Sequence, residues 1–338
     1  MQHFVFVYVL ITTSLFLMGS CNPKQPKPVD EGNQPVPVEE SKAPDFAADS
    51  AYIYIEKQVD FGPRVLNTKA HENCGDYLIA QMKSFGAKVI EQKAELRAFN
   101  GDKLNARNII GVFNEKQEYR ILLFAHWDSR PFADQDPDPE KHNTPIDGAN
   151  DGAGGVGVLM EIARQIGMKA PEVGVDIIFF DAEDMGAPQS YEGDAGEETW
   201  CLGSQYWAVQ PHVKGYMAKF GILLDMVGAK DAFFLKEGFS VQYANRYVEK
   251  VWQKAASIGY GKYFINEKGG YITDDHLYVN QLAGIPSIDI IQSDKTTRSG
   301  FYEHWHTTND TMDFIDKETL KAVGQTVMEV IYSEKVKK

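Results

Sequence analysis

The stretch that most restricts the fold is Val175-Asp176-Ile177-Ile178-Phe179-Phe180, followed at once by Asp181-Ala182-Glu183-Asp184. Its β-branched and aromatic residues fall on both alternating faces, so it reads as a strand covered above and below. Such a strand belongs in a sheet with helices on both sides, and the rest of the chain supplies them. Amphipathic helices are expected over 49–59, 68–85, 153–166, 241–257 and 317–332. Short apolar strands are expected over 107–112, 120–125, 219–224 and 286–291. Strands alternating with helices imply a single three-layer α/β domain over residues 45–338.

Acidic and histidine residues gather where these apolar runs turn polar. They include His126 and Asp128, Asp151, Glu183 and Asp184, Asp225, Asp274-Asp275-His276, and His304-Trp305-His306. In an open α/β sheet, strands deliver side chains to a site at just such an edge. Carboxylates and imidazoles without thiolates suit a catalytic zinc that keeps a coordination position open. Taken singly, each element is ambiguous. The glycine-rich turn 148–155 could cradle a phosphate at a helix start. It lacks the lysine and hydroxyl residue of a phosphate loop, and Asp151 at its centre can face a cation instead. Glu183 and Asp184 repel each other and point to opposite sides of an extended chain, so one can bind metal while the other faces substrate. A solvated acidic turn is the alternative for that pair, as a solvated loop is for His306. Two long polar stretches, 129–150 and 185–199, flank these residues and are expected to shape a pocket rim.

Composition narrows the function further. The chain has 338 residues, 43% of them hydrophobic, and a formal net charge of -14, which argues against a nucleic-acid partner. Phe4 to Met18 is an apolar run too short for an ordinary membrane span and suited to a signal-peptide core, residues 1–20. It ends in Leu17-Met18-Gly19-Ser20-Cys21, which resembles the lipobox of bacterial lipoproteins; an ordinary cleaved secretory signal is the alternative. Residues 21–44 are rich in proline and charge and read as a tether from a lipidated Cys21. The folded part is therefore expected outside the cytoplasm, as a periplasmic or cell-surface lipoprotein. Cys74 and Cys201 can form a disulfide there or remain as two buried thiols.

With these residues in place, the chain resembles the zinc aminopeptidase superfamily, and within it the glutaminyl cyclases of the animal-like type. The resemblance runs from Phe61-Gly62-Pro63-Arg64 to the last helix. It implies a central mixed sheet wrapped by helices, and one zinc held by Asp151, Asp184 and His306. It places the general base at Glu183, with Asp225 and Asp274 sharing a proton beside it. Trp305, Ile272 and Trp200 would contact the substrate, with Tyr191 the alternative to Trp200. The reaction implied is cyclisation of N-terminal glutamine in peptides or proteins, by an enzyme expected to be monomeric. A two-zinc aminopeptidase is the competing reading, since His126 and Asp225 match a second metal position bridged by Asp151. A binding lipoprotein without activity is a third. Asp274, Trp305 and the Leu224-Asp225-Met226-Val227-Gly228 segment favour the cyclase. Asp184 departs from the animal pattern, where glutamate stands, so its shorter arm requires the backbone to approach the metal more closely.

Overall fold

The computed structural model describes residues 43–195 and 198–336; the expected leader and Cys21 lie outside the described residues. The strands are β1 (Lys88–Arg97), β2 (Lys103–Phe113), β3 (Arg120–His126), β4 (Gly174–Phe180), β5 (Phe220–Asp225), β6 (Phe234–Lys236), β7 (Phe264–Lys268) and β8 (Ser287–Ile291). Six of them form one sheet in the order β1-β2-β4-β3-β5-β8, while β6 and β7 pair separately. β4, β3, β5 and β8 are mutually parallel, and β2 runs antiparallel to both β1 and β4. The sheet is therefore mixed. The four parallel strands all end at one edge, where β3 delivers His126 and β5 delivers Asp225.

Among the described residues seven helices cover it: α1 (Ala48–Val59), α2 (Lys69–Ser84), α3 (Ala153–Met168), α4 (Leu202–Val209), α5 (Gly238–Ser257), α6 (Asp275–Gln281) and α7 (Lys317–Ser333). Alternation along the strands divides the interior. Ile121, Leu123, Val175, Ile177 and Phe179 join a large core with residues of α1, α2, α3, α5 and α7. Leu122, Phe124, Ile178 and Phe180 pack on the other face with Trp207 of α4 and Val279 of α6. Burying each such side chain contributes roughly 1.5–3 kcal/mol. The charged residue in the most apolar strand, Asp176, is buried. Arg120 donates to both its oxygens at 2.6 Å, and the Tyr216 hydroxyl donates to Oδ2 at 2.7 Å. A buried carboxylate paired in this way escapes most of its desolvation cost.

The main departure from the sequence reading is β1, which has no buried residue. It is an edge strand whose exposed side chains Glu91, Lys93, Glu95 and Arg97 are charged, a common guard against pairing with other chains, while its other face is only half-buried and includes Gln92, so its apolar alternation is weak. β6, β7, α4 and α6 were also unmarked, being short. Cys74 and Cys201 are both buried and both free, so the disulfide alternative fails.

Helix α3 approaches β5 so closely that a Cβ on Gly155 would lie 2.1 Å from the Leu224 carbonyl oxygen. Gly155→Ala should therefore cost about 1–3 kcal/mol by overpacking, read as a lowered midpoint in urea unfolding.

Candidate active site

Beyond the sheet edge lies a cavity of about 580 Å³. Each sequence-expected site residue opens into it: Asp151, Glu183, Asp184, Asp225, Asp274, His306, Trp200, Ile272 and Trp305. Tyr191, the alternative to Trp200, instead packs edge-on against Phe99 with ring centroids 4.7 Å apart.

Three segments distant in sequence bring Asp151, Asp184 and His306 together, with one ligand atom from each lying within 4.8 Å of the others. His306 Nε2 stands 3.0 Å from Asp184 Oδ1 and 3.5 Å from Asp151 Oδ2. All three residues are buried. Asp151 Oδ2 and both Asp184 oxygens nevertheless have no hydrogen-bond partner. Buried carboxylate oxygens are seldom left so. Their orientation toward a shared point, with an imidazole completing the set, fits the donor types and number of a zinc site with one open position. A second group adjoins the first: His126 Nε2 is 3.0 Å from Asp151 Oδ1 and 3.3 Å from Asp225 Oδ1. Asp151 therefore belongs to both groups.

The backbone is shaped to hold these donors. Asp151 sits in the turn before α3, whose first position is preceded by Gly152 at φ +92°. A Cβ there would meet the Asp128 carbonyl at 2.6 Å, so glycine is required. Asp310 accepts from the amides of Asn150 at 2.9 Å and Asp151 at 3.0 Å. Asp128 does the same for Glu183 and Asp184, both at 3.1 Å. Arg64 is buried and donates to the carbonyls of Trp127, Asp147 and Gly148, joining the end of β3 to the turn that carries Asp151. Non-glycine residues with positive φ cluster here, among them Ala182, Cys201, Met226 and His306. Such conformations cost of order 1–3 kcal/mol each and persist where surrounding structure enforces them.

Glu183 and Asp184 face different groups. Glu183 is grouped with Cys201 and Asp274, and keeps some exposure to the cavity. The Cys201 thiol donates to its Oε1 at 3.2 Å. Burial, and then the charges of Asp184, Asp274 and Asp275, push the Glu183 carboxyl well above the usual range, partly opposed by His126. Burial and the neighbouring Asp225 do the same to Asp274. Asp151 rises to about 6 through burial and the charge of Asp184. Asp184 alone of the donors is lowered: His306 and Arg130 outweigh its burial. These acids repel one another, and a cation at their centre relieves that repulsion.

Aromatic surfaces complete the walls. Trp305 stacks on the His306 ring at 3.9 Å, and Trp200 lies parallel to it at 5.8 Å. The Arg130 guanidinium sits 4.4 Å from the Trp200 ring and donates to the carbonyls of Asp184 and Gly186. Arg130 also grips Asp134, whose Oδ1 is 3.5 Å from His306 Nδ1. Sequence reasoning assigned no role to Arg64, Arg130, Asp134, Cys201 or Asp310. Their work is to hold other residues, which leaves no local pattern to recognise.

The profile of peptidase family M28 matches residues 108–331. The chain belongs to that family. Among solved structures, a glutaminyl cyclase of Bacteroides thetaiotaomicron bound to N-acetylhistamine is 60% identical at a TM-score of 0.85, over 87% of this chain and 100% of that one. A leucine aminopeptidase precursor from the same organism is 59% identical, with the same coverage and TM-score. Aminopeptidase YwaD of Bacillus subtilis is 27% identical over 89% of this chain, which spans 60% of that relative's length. M28 relatives of this chain therefore include bacterial glutaminyl cyclases as well as aminopeptidases.

If Asp310 fixes the metal turn, Asp310→Ala should weaken zinc binding by about 10–100-fold, measured by chelator competition. Unchanged affinity would contradict that role.

Proposed function

We propose that this chain is a glutaminyl-peptide cyclotransferase, converting N-terminal glutamine of peptides or proteins to pyroglutamate with release of ammonia. The observation that carries the reading is the placement of Glu183 and Asp274. Together with Cys201 they bring ligand atoms within 4.8 Å of one another, directly beside the Asp151, Asp184 and His306 group. Cyclisation joins two ends of one residue, so it needs the side chain folded back and a proton moved, which such a pair is placed to do.

A zinc bound by Asp151, Asp184 and His306 supplies Lewis-acid polarisation of the side-chain amide carbonyl. Trp305, Trp200 and Ile272 enclose the glutamine side chain and exclude water. Glu183 takes a proton from the α-ammonium group, freeing the amine to bond to the amide carbon. As the carbon–nitrogen bond to the leaving group breaks, Glu183 returns that proton to the departing nitrogen, then takes the second proton of the new ring nitrogen, which leaves with ammonia as ammonium. Asp274, with Asp225 beside it, is placed to relay that proton from Glu183.

One observation favours the aminopeptidase reading: His126, Asp151 and Asp225 form a second potential cation site. Assays with glutaminyl-peptide and leucyl-anilide substrates separate the two. Ammonia and pyroglutamate release supports the cyclase, whereas leucine release with two bound metals supports the peptidase. Within the cyclase, Glu183→Gln should lose about 10²–10⁴-fold in turnover while zinc content stays unchanged. Loss of zinc instead would mean that 183 and 184 have exchanged roles. Asp274→Ala should reduce turnover comparably, also without loss of zinc.

We also read the protein as exported and anchored through a lipid on Cys21. Among the described residues no helix is long and apolar enough to cross a membrane. Labelling with a fatty-acid analogue should mark the parent and leave Cys21→Ala unlabelled; labelling of both would contradict the anchor.

A further inference from the structure

Glu237 is 2% exposed and does not line the cavity, yet its carboxylate gathers five donors. Oε1 accepts from the amides of Phe239 at 2.8 Å and Ile272 at 3.0 Å. Oε2 accepts from Ser240 N at 2.6 Å, Ser240 Oγ at 2.7 Å and His276 Nε2 at 2.9 Å. Capping the first turn of α5 accounts for the contacts with Phe239 and Ser240. It does not account for Ile272 and His276, which lie 35 and 39 residues further along the chain.

Those two contacts fall on the wall of the cavity. Residues 269–274 run from the end of β7 to the cap of α6, and Ile272 and Asp274 both open into the cavity. The run begins with Gly269 and Gly270, and a Cβ at Gly270 would meet nothing within 4 Å. That part of the wall therefore has no side chain anchored in the core. Backbone bonds from Gly269 N to Lys236 O and from Gly238 N to Gly270 O, both 2.7 Å, secure only its beginning. The Glu237–Ile272 bond secures its middle. At its far end Asp274 caps α6 through the Asp275 amide, and His276, in the first turn of that helix, returns to Glu237. Ser240 Oγ also accepts from the Asp289 amide at 2.9 Å, so the same hub reaches β8. Five donors keep the Glu237 carboxylate ionised, lowered to about 2 despite burial, with His276 the chief cause.

We propose that Glu237 is the positioning residue of this wall: it holds Ile272 and, through His276, the start of α6 with Asp274, where the reaction needs them. The inference rests on the cavity being the reaction site described above. It assigns Glu237 no contact with substrate or metal.

The test compares Glu237→Ala and Glu237→Gln with Thr68→Ala, which removes the N-cap of the distant helix α2. Each purified, zinc-loaded protein is assayed with whichever substrate the parent turns over, glutaminyl peptide or leucyl anilide. The parent alone therefore decides the function, and the variants decide the wall. A displaced wall should lower kcat/KM of Glu237→Ala by about 10²-fold, since a misplacement near 1 Å has that effect. Zinc content should stay at the parental level, and amide hydrogen exchange should quicken over 269–276. Glu237→Gln keeps one accepting oxygen and should recover part of the rate. Thr68→Ala should lose stability without change in kcat or KM. If Glu237→Ala does not fold, the comparison is read from Glu237→Gln, expected to be slowed at least several-fold. Folded Glu237 variants with kcat and KM within twofold of the parent would overturn the proposal. So would a loss of rate that Thr68→Ala reproduces in proportion to lost stability.

Discussion

Five carboxylates, from Asp151, Glu183, Asp184, Asp225 and Asp274, open into one cavity whose floor is largely closed to solvent. Two like charges about 4 Å apart repel by about 4 kcal/mol at an effective dielectric near 20. Several such pairs would exceed a sizeable part of the net stability of a domain, of order 5–15 kcal/mol. The cluster can persist only if protons or a cation neutralise it. Burial and neighbouring carboxylates raise Glu183 and Asp274, whereas His306 and Arg130 lower Asp184; a cation beside Glu183 would favour the ionised form that accepts a proton.

The scaffold concentrates this charge because parallel strands all finish at the same edge. His126 ends β3, Glu183 and Asp184 follow β4, and Asp225 ends β5. Asp151 and His306 come from turns, and turns need external restraint. Arg64 and Asp310 restrain the first, while Asp134 and the stacked Trp305 ring restrain the second. Asp128 fixes the amides of the adjacent acids between them. Arg64, Asp128 and Asp310 are themselves buried and Asp134 is held by Arg130, which is how a site on loops retains strand-like placement.

Much of this was legible in the sequence, for physical reasons that differ by element. The run 175–180 announced a doubly covered strand because both of its faces are apolar, and β4 is buried at each position. The acids after it were legible because charge at the end of a buried strand needs a purpose. β1 was hidden, since its inner face is only half-buried and mixes Ile90, Ala94 and Leu96 with Gln92, which leaves a faint alternation. Glu237 was hidden for another reason: a lone glutamate before a helix looks like an ordinary cap, and only the fold brings Ile272 and His276 to it. The free state of Cys74 and Cys201 was likewise undetermined by their count, since pairing depends on distance in space.

The second group formed by His126, Asp151 and Asp225 shares a donor with the first, so occupancy is the quantity on which the chemistry turns. Zinc-edge anomalous diffraction from crystals of the purified protein measures it directly. The expected result is a single peak about 2.0–2.2 Å from donor atoms of Asp151, Asp184 and His306. A peak away from that centre, or a second of equal height between His126, Asp151 and Asp225, would contradict the one-zinc account.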